Sequence, residues 1–508
     1  MKSRRYMSTR GVVRCFLLLY LFTFLPFSVV AQQRGCRVGT PRPEGMALRR
    51  GAPTGVTKRT GGDFYHGERR QLTVLAEFND RPFKGDEAAT IAQWNKIFNA
   101  KNLSEAPFKG SVHDYFLAQS YGDFDLTFDL VYVKVKGDAK KYASDATDEN
   151  SRFLVQDIME VLQTRNIDWS LYDWNGDGFV NQLLIVYAGH GMNDYSGNDL
   201  IWPHQWWMSD HFQDGKQEPY CDPISVTYND KEYKVDCYCA LQELTKNDDY
   251  GSFGTICHEY THCFGFPDYY NNSRSYLGGW ELMDSGNYNG EGYSPAGYSA
   301  HERWLMGWLT PTELTTTTTV TDMPALGDEP QAYLIRNDGF PNEYYIVENR
   351  QQDGWDASLP GNGIIVNHVD YDKDLWVSTK AYVNTFSRQH YLIFPANNIS
   401  SATTVFSKNW SYPYQKNNSL TNTSTPAAEL WNANADGKKF MNKPLTNMTV
   451  TGGFASFDFT VNTTGLSAQP SALGPQPTVL YRFGTIDIVR TADGKIQKVL
   501  RQSSRIGF

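Results

Sequence analysis

The chain has 508 residues, a formal net charge of −9 and a pI near 5.6, which argues against a nucleic-acid partner. Its length predicts two or three domains with a core large enough to be stable without disulfide bonds. Aromatic residues make up 14% and charged residues 20% of the chain, a balance that favours a β-rich exported protein over a cytosolic helical one.

The first 31 residues are typical of a secretory signal peptide. A basic start, with Arg4 and Arg5, precedes an apolar run over 16–30 that is short for a membrane span. We expect cleavage after Ala31, secretion to the exterior or cell surface, and no stable membrane span in the mature form; an uncleaved anchor is the alternative. Residues 32–68, rich in Gly, Arg, Pro and Thr, are interpreted as a pro-segment or linker.

Cysteine usage agrees with export. Seven cysteines become six when Cys15 leaves with the signal, and exported cysteines can pair. Cys237 and Cys239 lie two apart on a predicted strand and are poorly placed to bond each other. Cys221 with either of them is the favoured bridge. Cys36 is interpreted either as a thiol that keeps the unprocessed protein inactive or as an ordinary exported thiol. Cys257 and Cys263 are interpreted as small buried apolar residues.

The segment from residue 69 predicts a mixed domain. Apolar patterns predict a strand over 71–78, helices over 88–99 and 111–120, a strand over 125–135 and a helix over 152–164. This order indicates an α/β subdomain whose sheet packs behind a later helix.

Residues 173–181 resemble the start of an EF-hand loop. Oxygen donors stand at loop positions 1, 3, 5 and 9, but position 12 is Leu184 rather than a bidentate glutamate. The loop is therefore a candidate Ca²⁺ site, and a polar turn is the alternative. The candidate ligands are Asp173, Asn175, Asp177 and Asn181.

Residues 258–268 carry the strongest chemical signal of the chain. His258 and His262 are four apart, so a helix presents both imidazoles to one metal ion. Glu259 is placed to activate a water molecule as general base. Gly265 can end the helix, after which Asp268 can return as third ligand. Two histidines, a carboxylate and an open position predict a catalytic Zn²⁺ site.

Other residues compete with Asp268 for the third position. Glu302 and His301 lie on a predicted downstream helix, and Glu281 lies between the motif and that helix. A site completed by water alone is the remaining alternative. Because the metal is inferred from ligand type, another divalent ion is also compatible with this set.

The motif H-E-x-x-H-x-x-G-x-x-D, followed at 280–286 by W-E-L-M-D-S-G, resembles the metzincins and, within them, secreted immune inhibitor A-type metallopeptidases. The resemblance covers roughly residues 70 to 375. It implies a zinc endopeptidase in which Met283 forms an apolar floor beneath the metal. It also implies a hydrogen-bond donor to the oxyanion, either Tyr288, which we favour, or Tyr293. An edge strand over 233–244 is expected to pair with substrate.

A threonine run at 315–319 indicates the next boundary. Short alternating segments beyond it predict a β-sandwich, either structural or able to bind sugars or cell surfaces. The tail resembles the end of a type IX secretion sorting domain. The predicted division is 1–31 signal peptide, 32–68 pro-segment or linker, 69–312 peptidase domain, 313–463 β-sandwich, and 464–508 linker and sorting tail.

Together these features predict an α+β protein: a metzincin-like zinc peptidase domain followed by a C-terminal β-sandwich. The expected activity is secreted zinc-dependent endopeptidase, acting on protein or peptide substrates as a monomer. One alternative is an exported binding protein or adhesin on an inactive peptidase scaffold, against which the intact Glu259 argues. The other is a zinc hydrolase of a different acyl bond.

Overall fold

The computed structural model describes residues 65–461, except for 144–149, 194, 196, 198, 211–221, 252, 272–273 and 377–381. Beyond 461 it describes the backbone of three strands. The predicted signal peptide, nearly all of the 32–68 segment, Cys36, Cys221 and the linker after residue 463 lie outside the described residues. In the described part no helix has the length and apolar character needed to span a membrane.

Strands of the N-terminal half form two sheets. They are β1 (Gly67–Glu77), β2 (Phe124–Lys134), β3 (Phe179–Val180), β4 (Leu183–His190), β5 (His204–Trp207), β6 (Ile224–Tyr228), β7 (Lys231–Val235) and β8 (Cys237–Leu244). The larger sheet has the order β2-β1-β4-β8-β5, with β5 antiparallel to β8 and the other pairs parallel. The smaller sheet has the order β3-β7-β6.

The parallel strands have the apolar sequences that burial on both faces requires. A parallel strand is covered on both faces, so it needs a continuous apolar run rather than alternation. Strand β4 reads LLIVYAGH and is buried at every position except the last. Strand β1 is likewise buried from Gln71 to its end. This sheet forms the centre of a hydrophobic cluster that begins at Tyr65.

One prediction about this sheet is wrong. The sequence favours a single edge strand over 233–244, but Asp236 separates β7 from β8, and these two strands join different sheets. Strand β8 is hydrogen-bonded to β4 on one side and to β5 on the other. Both of its edges are therefore occupied, and the terminal strands of the described sheet are β2 and β5.

Helices cover the sheet and carry the motif. Asp86 caps the first of them, and Ser111 and Ser299 each form a capping box with an acidic residue three positions later. The predicted helices over 88–99, 111–120 and 152–164 are present within one or two residues. The helices of this half are α1 (Glu87–Asn99), α2 (Val112–Gln119), α3 (Ala139–Tyr142), α4 (Ser151–Leu162), α5 (Phe253–Cys263) and α6 (Ala300–Met306).

The C-terminal half contributes further strands and two short helices. They are β9 (Thr312–Glu313), β10 (Thr318–Met323), β11 (Tyr333–Arg336), β12 (Glu343–Arg350), β13 (Gly363–Asp370), α7 (Lys373–Trp376), β14 (Tyr391–Ile393), α8 (Thr404–Ser407), β15 (Leu445–Thr451) and β16 (Phe454–Phe459). One sheet has the order β14-β13-β12-β11-β9, and a second has the order β10-β16-β15.

Strand β12 is buried along its whole length because both of its faces are covered. Tyr344 and Ile346 pack into the cluster that surrounds the N-terminal sheet, whereas Tyr345 and Val347 pack into a second cluster with the three-stranded sheet. The first cluster therefore crosses the predicted domain boundary at 312/313. The mixed helices and sheets confirm the α+β class, while the metzincin-like and sandwich assignments and the domain boundaries stay predictions.

Residues 462–508 form a separate unit. Its described strands, β17 (Thr478–Phe483), β18 (Ile486–Arg490) and β19 (Ile496–Leu500), make an antiparallel sheet in that order.

Candidate metal centre

Helix α5 brings the two motif histidines together. His258 and His262 lie one turn apart on it, are buried, and have ring centroids 4.9 Å apart. The Nδ1–H of His258 donates to the carbonyl of Leu282 at 2.9 Å, and that of His262 donates to the carbonyl of Phe266 at 2.7 Å. With the Nδ1 protons held by carbonyls, the Nε2 atoms are left as electron-pair donors, as in metal-binding histidines.

The chain after the helix returns an acidic group to the same point. Gly265 has φ +94°, a left-handed conformation that lets the helix end and the chain reverse. Asp268 then places Oδ1 at 3.1 Å from His258 Nε2 and 3.3 Å from His262 Nε2. Asp268 is itself 5% exposed, so this convergence takes place inside the protein.

These donor atoms fit a metal ion. They lie within 4.8 Å of one another, and this is the group of acidic, histidine or cysteine residues in the described part that has the geometry for a metal. Each of the three atoms is buried without a hydrogen bond of acceptable geometry. Buried polar atoms are normally satisfied, so three such atoms directed at one point indicate a cation.

The charges favour a cation at this point. Burial lowers the pKa of His262, but the Asp268 carboxylate, Glu259 and the Phe266 carbonyl together raise that pKa to about 9. Burial also raises the pKa of Asp268, and the two histidines outweigh it, so that pKa is lowered. The carboxylate therefore imposes a negative field on the atoms that face it.

Glu259 occupies the position next to this cluster on α5. It is 1% exposed, and its Oε1 has no hydrogen-bond partner among the described residues. The ring of Tyr270 stacks on that of His258, with the ring centroids 6.3 Å apart. A buried carboxylate oxygen without a partner is able to accept a proton.

The segment over 275–285 contains Leu282, whose carbonyl accepts the Nδ1–H of His258. Met283 is fully buried, and its carbonyl accepts the N–H of Tyr269 at 2.9 Å. The Asp284 carboxylate accepts the backbone N–H groups of Tyr276 and Leu277, each at 2.8 Å. It also accepts the hydroxyls of two serines, and burial raises its pKa. Sequence analysis missed Asp284, although its place directly after Met283 is a usable signal.

The rival third ligands lie elsewhere. Glu302 caps α6, and Glu281 accepts the Tyr391 hydroxyl at 3.4 Å. Burial raises the pKa of both glutamates. His301 packs against the rings of Tyr391 and Trp376. The structure thus brings Asp268, rather than any of these residues, to the histidines.

The two candidate oxyanion donors differ in their surroundings. The hydroxyl of Tyr293 donates to the carbonyl of Tyr250 at 3.1 Å. Tyr288 lies in a 3₁₀ segment, Gly286–Gly292, and is 46% exposed. Its role at the oxyanion stays a prediction.

In the EF-hand-like loop, the candidate ligand oxygens accept hydrogen bonds from N–H groups of the loop itself. Asp173 accepts the N–H groups of Asp177 and Gly178 at 3.1 and 3.0 Å, and Lys231 lies 3.7 Å from it. Asp177 accepts from the Asn175 side chain, and the remaining candidate ligand, Asn181, accepts the N–H of Trp174 at 2.6 Å. The loop is a network of local turns, and calcium binding stays a prediction.

The described cysteines are buried, and no disulfide bond joins one of them to another. Cys257 and Cys263 occupy α5, and Cys237 and Cys239 occupy β8. Burial raises the pKa of the Cys257 thiol. The favoured bridge to Cys221 involves a residue outside the described part.

Comparison with known proteins identifies the segment that contains this cluster. Residues 70–308 match the family model described as immune inhibitor A peptidase M6, catalytic domain. A curated relative, immune inhibitor A of Bacillus thuringiensis subsp. alesti, is 26% identical over 313 residues. That match covers 52% of this chain but 44% of the relative, so the chain matches less than half of the relative's length. Residues 70–308 therefore belong to the immune inhibitor A peptidase family, M6.

Proposed function

We propose that this chain is a secreted, zinc-dependent endopeptidase. The observation that carries the proposal is the convergence of three buried donor atoms without a hydrogen bond of acceptable geometry, next in sequence to Glu259, whose Oε1 also lacks one. His258, His262 and Asp268 would hold the metal. When bound there, Zn²⁺ lowers the pKa of water and polarises a carbonyl group.

The protein residues divide the remaining work. Glu259 accepts a proton from the attacking water and returns it to the leaving amine, as its buried free oxygen allows. The carbonyls of Leu282 and Phe266 fix the ring orientation of the two histidines. Tyr288 is our candidate donor to the oxyanion, on the strength of the family resemblance.

Substrate would bind as an extended strand. Because β8 is paired on both sides, the terminal strand next to β8 in the larger sheet is β5, and we propose its outer edge for such pairing. Trp206 and Trp207 lie on β5 and pack into the buried cluster of the N-terminal half. The proposal further includes protein or peptide substrates, secretion after signal cleavage, a monomeric state and an accessory Ca²⁺ at 173–181.

The test compares the mature wild-type chain with Glu259→Ala, both loaded with equal zinc. We expect the variant to keep its zinc and lose at least about 100-fold in the rate of cleavage of an unfolded protein, since general acid–base catalysis contributes that much. Glu329→Ala, an exposed glutamate, is the matched control and should cleave normally.

Two outcomes would contradict the proposal. If neither chain cleaves although both hold zinc and the pro-segment has been removed, the binding-protein alternative replaces it. If esters but not peptides are cleaved, the alternative acyl hydrolase does.

A further inference from the structure

A turn of the C-terminal half lies against the residues that follow Asp268. Asn384 is fully buried, and its side chain donates to the carbonyls of Tyr269 and Tyr391, each at 2.8 Å. In return, the Asn271 side chain donates to the Asn384 carbonyl at 3.1 Å. The turn is therefore anchored one to three residues beyond the candidate ligand.

Further hydrogen bonds hold the shape of this turn. The N–H of Thr385 donates to the carbonyl of Arg388 at 2.8 Å, and the N–H of Arg388 donates to the Thr385 hydroxyl at 3.1 Å. The Arg388 guanidinium also pairs with Asp370 on β13 at 2.8 Å. Gln389 donates to the carbonyl of Phe386 at 3.1 Å. Most of the turn's polar groups thus have partners, which holds its backbone in one shape.

The apex of this turn presents an apolar ring to solvent. Phe386 is 85% exposed, the highest value among the large apolar side chains of the described residues. Single exposed apolar residues are ordinary, so exposure alone carries no function. The unusual combination is an exposed ring on a fixed turn that is bonded to the metal-ligand segment.

The distance suits contact with a bound peptide. The path from Asp268 through Tyr269 and Asn384 to Phe386 limits the separation of the end Cα atoms to roughly 20 Å, given 3.8 Å per residue step. An extended chain advances about 3.3 to 3.6 Å per residue, so this upper limit corresponds to about six substrate residues.

We propose that the turn Thr385–Arg388 is a wall of the substrate cleft and that Phe386 binds an apolar side chain within about six residues of the scissile bond. This inference rests on the proposed endopeptidase function and adds a substrate preference to it. The C-terminal half would then take part in substrate selection, beyond any role in structural support.

The kinetic test compares Phe386→Ala with Phe454→Ala, a half-exposed phenylalanine on β16 in the three-stranded sheet. The probes are peptide pairs with leucine or serine at each position around a mapped cleavage site. We expect Phe386→Ala to lower kcat/KM about tenfold for one leucine peptide, through KM, and to leave its serine counterpart nearly unchanged. Phe454→Ala should change neither.

A binding test separates this inference from the proposed function. The labelled peptide pairs are titrated into zinc-loaded Glu259→Ala, with and without Phe386→Ala. Loss of the leucine preference only in the double variant supports the wall, whether or not the wild type cleaves. An unchanged preference in both tests overturns the wall, even if Glu259→Ala proves the peptidase mechanism.

Discussion

The cluster of His258, His262 and Asp268 and the loop over 173–181 both contain donor groups at metal-ligand spacing, but their hydrogen bonds differ. In the cluster, the donor atoms that converge have no hydrogen bond of acceptable geometry, and neighbouring carbonyls hold the opposite ring nitrogens. In the loop, backbone N–H groups and Lys231 already engage the Asp173 carboxylate.

The spacing of ligand residues and the hydrogen bonds of their donor atoms carry different information about a metal site. The spacing of residues shows which side chains can face one point. Buried polar atoms without hydrogen bonds indicate that a bound ion or ligand occupies that point. A calcium ion at 173–181 would have to replace existing hydrogen bonds and would lack the bidentate carboxylate at position 12. We therefore expect the two regions to respond very differently to substitution.

The largest effect should come from His262→Ala. Loss of an outer partner of a ligand already costs about 10- to 100-fold in metal affinity, so loss of a ligand should cost more than about 100-fold. Zinc titration against a competing chelator measures this directly. His190→Ala is the control, since His190 bonds Thr245 and pairs with Asp248 away from the cluster. Equal affinity in His262→Ala and wild type would refute the assigned ligand set.

A smaller effect should follow from Asp284→Ala. The change leaves the buried N–H groups of Tyr276 and Leu277 without an acceptor, which should lower the free energy of unfolding by about 3 kcal/mol. Zinc affinity should also fall, by about tenfold, because Asp284 fixes the segment that contains Leu282, whose carbonyl orients His258. Denaturant unfolding and zinc titration give the two values.

Ser275→Ala removes only one hydroxyl from Asp284 and serves as the control. Ser275→Ala should lower the free energy of unfolding by about 1 kcal/mol. If Asp284→Ala were no more destabilising than this control, the support assigned to Asp284 would be incorrect.

The smallest effect should come from Asp173→Ala. The change removes local hydrogen bonds of the turn, which should lower the free energy of unfolding by about 1 kcal/mol. Zinc affinity should stay unchanged. Added Ca²⁺ should stabilise the wild type by less than added Zn²⁺ does, because stabilisation follows ligand concentration relative to Kd. Thermal unfolding with each ion measures both. A stabilisation by Ca²⁺ as large as that by Zn²⁺, abolished by Asp173→Ala, would show that the loop binds calcium tightly and would contradict this ranking.

Local patterns predicted much of this arrangement. The i, i+4 histidines, the glycine with positive φ and the returning Asp268 all follow from helix geometry within eleven residues, and their convergence was expected. The apolar run of β4 and the capping boxes are likewise local signals.

Non-local pairing accounts for what the sequence did not reveal. Alternation within 233–244 carries no information on whether β5 occupies the other side of β8, so the edge position was mistaken. The same holds for Asn384, whose bond to Tyr269 spans 115 residues. It also holds for β12, because its second buried face depends on the N-terminal half.

X-ray absorption at the zinc edge of the purified, zinc-loaded protein tests the assigned metal ligands without relying on activity. We expect one zinc per chain with a nitrogen and oxygen shell that includes imidazole scattering, and loss of that bound zinc in His258→Ala. A sulfur shell from a cysteine, or zinc retained with an unchanged spectrum in His258→Ala, would contradict it.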